Sequence, residues 1–198
     1  MKNKKVAFLI EIPTPYRDSL FENLSKNKDL DFEVLYCALS DYGRDWKQEQ
    51  KKYPYKVLSG FSYPIVGKGI FVLKVNLGIW SQLSAGRYDT VIISGYIQPT
   101  MQLAILWCLW HKVPYYLWSE SHNLMPRSIL KSLIKWPLVK FSVKNAAALL
   151  ATGSNSRDYL TSYGADLVRI IFFPNVGDVK TLAEESSNYS DNIKGLRG

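Results

Sequence analysis

The sequence is poor in several features that would each have pointed to a chemistry. Cysteine occurs only twice in 198 residues, at Cys37 and Cys108. The two make no CxxC pair and have no matching histidine spacing, so no zinc or other metal site is expected. They are expected as core thiols in a reducing compartment. No GxGxxG run occurs, which speaks against a dinucleotide cofactor. GSNS at 153–156 is not a GxSxG elbow, so a hydrolase triad is disfavoured. Long apolar runs are also missing. The longest, MQLAILWCLW at 101–110, is too short to span a bilayer. The opening MKNKKVAFLIEI resembles a signal peptide only briefly, because Glu11 interrupts its apolar core and no small-residue cleavage site follows. The expectation is a cytoplasmic protein that can touch the inner face of the plasma membrane without crossing it. No RNP-like or helix-turn-helix signature supports a nucleic-acid partner.

What is present fits a folded domain: 47% hydrophobic, 21% charged and 14% aromatic residues. The formal net charge of +8 attracts anions in general, from nucleic acid to acidic headgroups and phosphorylated substrates, and does not choose among them.

Strand and helix signals alternate along the chain. Strands are expected at 6–12, 31–37, 55–58, 90–95, 113–118, 148–153 and 168–174. Helices are expected after Thr14-Pro15, over 76–88 with Gly86 as its stop, from Pro99 to about His111, over 126–146 divided by Pro137, and from a Ser154 or Asn155 cap to Tyr163 with Gly164 as its stop. Residues 40–75 read as irregular apart from the short strand at 55–58, with a loop around Gly67-Lys68-Gly69. Such alternation predicts an α/β fold, an open parallel sheet with helices on both faces. Ligands of such sheets bind at the carboxyl ends of the strands, where strand order reverses. Three loops are placed there: PTPYR (13–17), SGYIQPT (94–100) and SESHN (119–123).

Each loop carries candidate side chains. Arg17 lies in the first turn of a helix, where the dipole disfavours a cation by a few tenths of a kcal/mol. A bound phosphate would reverse that, and the alternatives are a solvated arginine or a pair with Asp18. Gly95 ends a strand without a side chain and lets a ligand or backbone approach. Tyr96 and Gln98 are of the type that stacks on and hydrogen-bonds a sugar; the alternative is a routine strand-to-helix turn. Glu120 and His122 can accept a proton or bind hydroxyls, though no nucleophile or metal partner accompanies them, and a cap-and-loop cluster is the other reading. His111, near a helix end, is expected to be structural.

Segment 121–157 holds Arg127, Lys131, Lys135, Lys140, Lys144 and Arg157 and no Asp or Glu. Interleaved Ile, Leu, Trp and Phe make it a candidate for an anionic membrane surface. On a straight helix Lys131 and Lys135 sit opposite Lys140 and Lys144, so one basic face requires a turn at Pro137. Otherwise the helix simply covers the sheet with solvated lysines.

Taken in order, IPTPYRDSLFENL, YDTVIISGY, PYYLWSESHN, the basic helix before AALLATGSNSRDYL, and YGAD followed by RIIFFPNVGD resemble the amino-terminal half of family 4 glycosyltransferases of the GT-B fold. The likeness covers residues 5–180. It implies a Rossmann-like domain over 1–180, one half of a GT-B fold, with 181–198 a polar tail or linker. It implies a retaining transferase without an obligatory metal or other cofactor, and the nearest likeness is to members that build cell-surface polysaccharides. The partners implied are a nucleotide-sugar donor, held mainly by a second domain, and a glycan or lipid-linked acceptor. By motif position, Pro15, Tyr16 and Arg17 form the loop after the first strand, Glu120, Ser121 and His122 face the cleft, and Asn175 marks the crossover to the second domain. PNVGD departs slightly from the family's usual ending. The paired-glutamate motif of the donor domain is not in this sequence, so the chain by itself is expected to have little or no transferase activity. The alternative is a non-catalytic Rossmann-like binding module acting with a partner subunit or at an anionic membrane.

Overall fold

Apolar runs become the strands of one parallel sheet. A computed structural model describes residues 4–41, 50–66, 70–121 and 129–175, with the backbone alone at 66, 70 and 129–134. Its strands are β1 (Lys5–Ile10), β2 (Asp31–Tyr36), β3 (Tyr55–Val57), β4 (Phe61–Val66), β5 (Ile70–Val75), β6 (Thr90–Ser94), β7 (Tyr115–Ser119), β8 (Ala148–Ala151) and β9 (Ile170–Phe172). The helices are α1 (Pro15–Ser25), α2 (Ile79–Gly86), α3 (Pro99–Trp110), α4 (Ile129–Asn145) and α5 (Ser154–Ser162), with a 3-10 turn over Leu167–Arg169. Seven strands form the sheet in the order β3-β2-β1-β6-β7-β8-β9, every neighbouring pair parallel. The chain builds outward from β1 in one direction, returns at β6, and builds outward in the other. Strand order therefore reverses between β1 and β6. This is the Rossmann-like α/β fold.

The period-two pattern of the strands feeds two cores. Ala7, Leu9, Val91, Ile93, Leu117 and Leu149 point to the face covered by α2 to α5, where Leu83, Ile105, Val143 and Leu160 meet them. Phe8, Ile10, Val34 and Tyr36 point to the opposite face, where Phe21 of α1 packs edge-on against Phe8 at 5.1 Å between ring centroids. Cys37 and Cys108 are both buried and unpaired, and burial pushes both thiols up to about 12.

Several expectations need correction. Residues 61–66 and 70–75 are not irregular: β4 and β5 pair antiparallel, with Pro64 opposite Val72. The proline is tolerated because β4 pairs with β5 alone and donates nothing on its other edge. The loop around Gly67-Lys68-Gly69 lies outside the described residues. Helix α2 starts at Ile79, not at 76, because Asn76 is buried and its side-chain amide donates to the carbonyls of Cys37 (3.0 Å) and Leu58 (3.1 Å). Gly86 is not the left-handed stop. It belongs to the helix, and Arg87 takes the positive φ of 51°. Helix α4 is not divided; it runs through Pro137 as one helix. Gly153 caps α5, with Ser154 and Asn155 already inside it, while Gly164 does adopt a left-handed φ of 87°. Among the described residues no helix is long and apolar enough to cross a membrane.

Candidate functional site

The loops after β1, β6 and β7 meet where strand order reverses. They line a cleft of about 270 Å³ through Glu11, Thr14 and Arg17, through Ser94 and Gly95, and through Trp118, Glu120 and Ser121. Tyr16 also lines it, and Pro15 fills the first position of α1 behind Thr14.

Arg17 is fixed by the first turn of α1. The carbonyl of Thr14 accepts from the backbone N–H groups of Arg17 and Asp18, at 2.9 and 3.0 Å. This turn aims the guanidinium inward, where the Arg17 side chain is only 7% exposed. Its Nη2 donates to Glu120 Oε1 at 2.5 Å, and its carbon lies 4.4 Å from the centroid of the Trp118 ring. The arginine is thus neither solvated nor paired with Asp18, which instead pairs with Lys51 at 3.0 Å and accepts from Tyr53. A carboxylate 103 residues away offsets the unfavourable helix dipole.

Gly95 has φ of 98°, and a Cβ there would meet nothing within 4 Å. The glycine is required by the backbone turn and not by crowding. Its N–H donates to the carbonyl of Trp118 at 2.9 Å, tying the β6 loop to β7. The turn sends Tyr96 into the core. The Tyr96 ring is buried, with its hydroxyl 2.8 Å from Ser121 Oγ and 2.6 Å from the Tyr159 hydroxyl. It therefore offers no open face for a sugar to stack on and acts on the cleft by positioning Ser121. Gln98 is likewise no sugar ligand. It is buried, donates to Glu11 Oε1 (2.8 Å) and the Val72 carbonyl (2.9 Å), and accepts from the backbone N–H of Lys74 (2.8 Å).

On the β7 side, the Ser119 carbonyl accepts from Ser156 Oγ at 2.6 Å, and Ser119 Oγ accepts from the Ser121 N–H at 3.2 Å. These bonds shape the loop that presents Glu120. Glu120 Oε1 accepts from Arg17 and also from Asn175 Nδ2 at 2.7 Å. Asn175, three residues past β9, is therefore drawn to the same carboxylate as Arg17. His122 and Arg127 lie outside the described residues, as does the side chain of Lys131.

The remaining basic residues of α4 do not share one face. The ammonium of Lys135 lies 5.1 Å from the Tyr96 ring and 5.7 Å from the Tyr159 ring, while Lys140 sits 4.3 Å over Trp136 and Lys144 is exposed. His111 packs against Trp107 and its Nδ1 donates to the Trp107 carbonyl, 3.0 Å away.

Glu11, Ile12 and Trp118 line the cleft without having been expected there from the sequence, and Lys74 backs Glu11 from behind. Lys74, on β5, is fully buried and pairs with Glu11 (3.0 Å) and Asp41 (3.2 Å). Trp118 was legible only as a strand residue. The described residues hold three buried side-chain polar atoms without a hydrogen-bond partner: Thr14 Oγ1, Arg17 Nε and Trp118 Nε1. All three belong to residues lining this cleft. Buried donors are rarely left unpaired, because each costs about 1–3 kcal/mol. Their concentration in one place sets this cleft apart from the rest of the described residues. Among the described residues there is no group of three His, Cys, Asp or Glu that could hold a metal ion.

No protein-family model matches the sequence, and no curated protein matches it by sequence. Solved structures do match. HepE of Anabaena, in complex with UDP, superposes with a TM-score of 0.59 at 15% identity, over 89% of this chain and 45% of that one. The UDP-GlcNAc 2-epimerase of Neisseria meningitidis, bound to UDP-GlcNAc, gives 0.53 at 14% identity over 85% and 45%. The MnaA–UDP structure from S. aureus gives 0.54 at 15% identity over 85% and 44%. The chain thus spans a little under half the length of these neighbours. The likeness shows the fold, a GT-B-like Rossmann domain, and does not single out family 4 glycosyltransferases.

Proposed function

We propose that this domain is the acceptor-binding half of a retaining family 4 glycosyltransferase, which passes a sugar from a nucleotide-sugar to a hydroxyl of a lipid-linked or other glycan acceptor in cell-surface polysaccharide synthesis. One observation carries the reading: the loops after β1, β6 and β7 converge at the strand-order reversal on a cleft that combines two carboxylates, an arginine and buried unpartnered donors. In this reading the nucleotide is held mainly by a second domain across the cleft, which also stabilises the diphosphate leaving group. Glu120 orients the acceptor hydroxyl. Its Oε1 is occupied by Arg17 and Asn175, and its Oε2 carries no hydrogen bond to a described residue. Ser121, held by Tyr96, is a second hydroxyl partner, and His122 is assigned proton transfer by its motif position. Lys140 and Lys144, with Arg127 and Lys131, are the proposed contacts with anionic lipid, while Lys135 is turned to the Tyr96 and Tyr159 rings.

The test is sugar transfer by the whole polypeptide that the gene encodes, given a panel of labelled nucleotide-sugars and a lipid extract as acceptor. The expected result is label in a glycan with retained anomeric configuration, and a loss of 10²-fold or so in Glu120→Ala, because misplacement of a reactant costs on that order. Epimerisation or hydrolysis of the nucleotide-sugar without transfer would overturn the assignment.

A further inference from the structure

We infer that the cleft grips an uncharged, hydroxyl-rich part of its ligand and discriminates against an anion there, with Thr14, Arg17 and Trp118 as the determinants. This rests on the proposed sugar-transfer reading and narrows its acceptor class. The argument begins with charge. Arg17 looks like an anion site, being a buried cation at a helix N-terminus beside free donors. Its charge is already matched by Glu120 at 2.5 Å. Lys74, the other buried cation, is shared between Glu11 and Asp41. Among the described residues that line the cleft, the charged side chains are Glu11, Arg17 and Glu120, with Lys74 behind Glu11, so each cation already faces a carboxylate. A phosphate or carboxylate entering would meet Glu11 and Glu120 on the cleft wall with no further cation among the described lining residues, and like charges at close range disfavour it.

The hydrogen-bonding inventory is mixed in the way hydroxyls need. Arg17 Nε and Trp118 Nε1 are donors only, and Thr14 Oγ1 donates or accepts. All three are buried and unpartnered. On the acceptor side, Glu120 uses only Oε1 for Arg17 and Asn175, and Glu11 uses only Oε1 for Lys74 and Gln98. The second oxygen of each carboxylate has no hydrogen bond to a described residue. A hydroxyl both gives and takes one hydrogen bond, so neighbouring hydroxyls on a sugar ring satisfy donors and carboxylate oxygens together. An ionised carboxylate or phosphate oxygen only accepts, and brings its negative charge against both carboxylate oxygens.

The experiment follows the indole N–H of Trp118 directly. With ¹⁵N-labelled tryptophan the six indoles give separate resonances, and Trp118→Phe assigns one of them. The probes are neutral methyl hexosides, the corresponding methyl uronosides and inorganic phosphate, titrated into the whole polypeptide. Methyl hexosides are expected to shift the Trp118 indole resonance, and uronosides and phosphate are expected to bind at least tenfold more weakly. Thr14→Val and Arg17→Lys each remove one unpartnered group while keeping shape or charge, and each is expected to weaken hexoside binding roughly two- to tenfold. Unchanged urea midpoints will separate this from misfolding. Shifts by uronoside or phosphate as large and as tight as those by hexoside would overturn the inference and leave sugar transfer standing, with an acidic acceptor. Hexoside binding indifferent to both substitutions would overturn it as well. The transferase reading fails separately, if no sugar is transferred at all.

Discussion

Breaking the Arg17–Glu120 pair from either side gives unequal costs, because the two partners are unequally buried. The Arg17 side chain is 7% exposed and that of Glu120 is 41% exposed. Glu120→Ala leaves a guanidinium under cover without its counter-ion. Losing one partner of a fully buried pair costs about 3–5 kcal/mol, while exposed pairs contribute about 0–1. With one partner buried and the other half-open, the loss is about 2 kcal/mol, in line with a charged hydrogen bond. For a chain of this size that lowers Tm by about 4–8 °C. Arg17→Met leaves Glu120 free to turn to water while keeping its bond to Asn175, so its cost is about 1 kcal/mol, from the ion pair and the stacking on Trp118. In the double variant the buried cation is gone, and removing Glu120 as well adds little. The coupling should read about 1 kcal/mol or more in a double-mutant cycle. Urea unfolding followed by circular dichroism measures it, and raising salt should erode little of the coupling because the guanidinium is covered. Equal single-variant costs, or strict additivity in the double variant, would refute the reasoning.

Gly95→Ala is expected to cost about 1–2 kcal/mol although its Cβ has open space, since the penalty is the left-handed backbone alone; a stability unchanged from wild type would show that the turn relaxes. Cys37 and Cys108 should resist a thiol reagent at pH 8 in the folded protein and react on unfolding. Burial raises each from 9.0 to about 12, which leaves about one thiol in ten thousand ionised. The same shift has a sign for stability. The contribution is fully present below about pH 9 and is lost as pH climbs toward 12, and the raised tyrosines Tyr36, Tyr88 and Tyr115, also shifted by burial, act in the same direction above pH 10. Urea midpoints that stay level from pH 8 to 11 would contradict this.

The parallel sheet was legible because its strands are buried on both faces and so read as unbroken apolar runs, KVAFLI and TVIIS among them. The meeting of three loops followed from the rule for strand ends. The β4–β5 pair was hidden because its pattern is inverted: Phe61, Tyr63 and Ile65 face outward, 78%, 68% and 45% exposed, while a lysine faces in. Nothing in local sequence marks Lys74 as buried, because its partners Glu11 and Asp41 lie 63 and 33 residues before it. Tyr96 was misread for a different reason. Strand alternation carries Val91 and Ile93 inward, and the left-handed turn at Gly95 then resets the phase. The pairing of Arg17 with Glu120 spans too much chain for any spacing rule to report.

That span bears on how the protein reaches its native state. Strands β1 and β2 join residues 26 positions apart, Lys5 with Asp31, whereas β1 and β6 join Val6 with Thr90. Loop closure costs more for the second contact, and topologies rich in such contacts fold slowly. A nascent chain can therefore pair its first strands early and still possess no cleft. The seam between β1 and β6 closes only after the chain has been made as far as Ser94, and Asn175 joins Glu120 later still. Folding reporters at Trp118 and at Phe21 should consequently separate in time, the first following closure of the seam and the second following the early half-sheet.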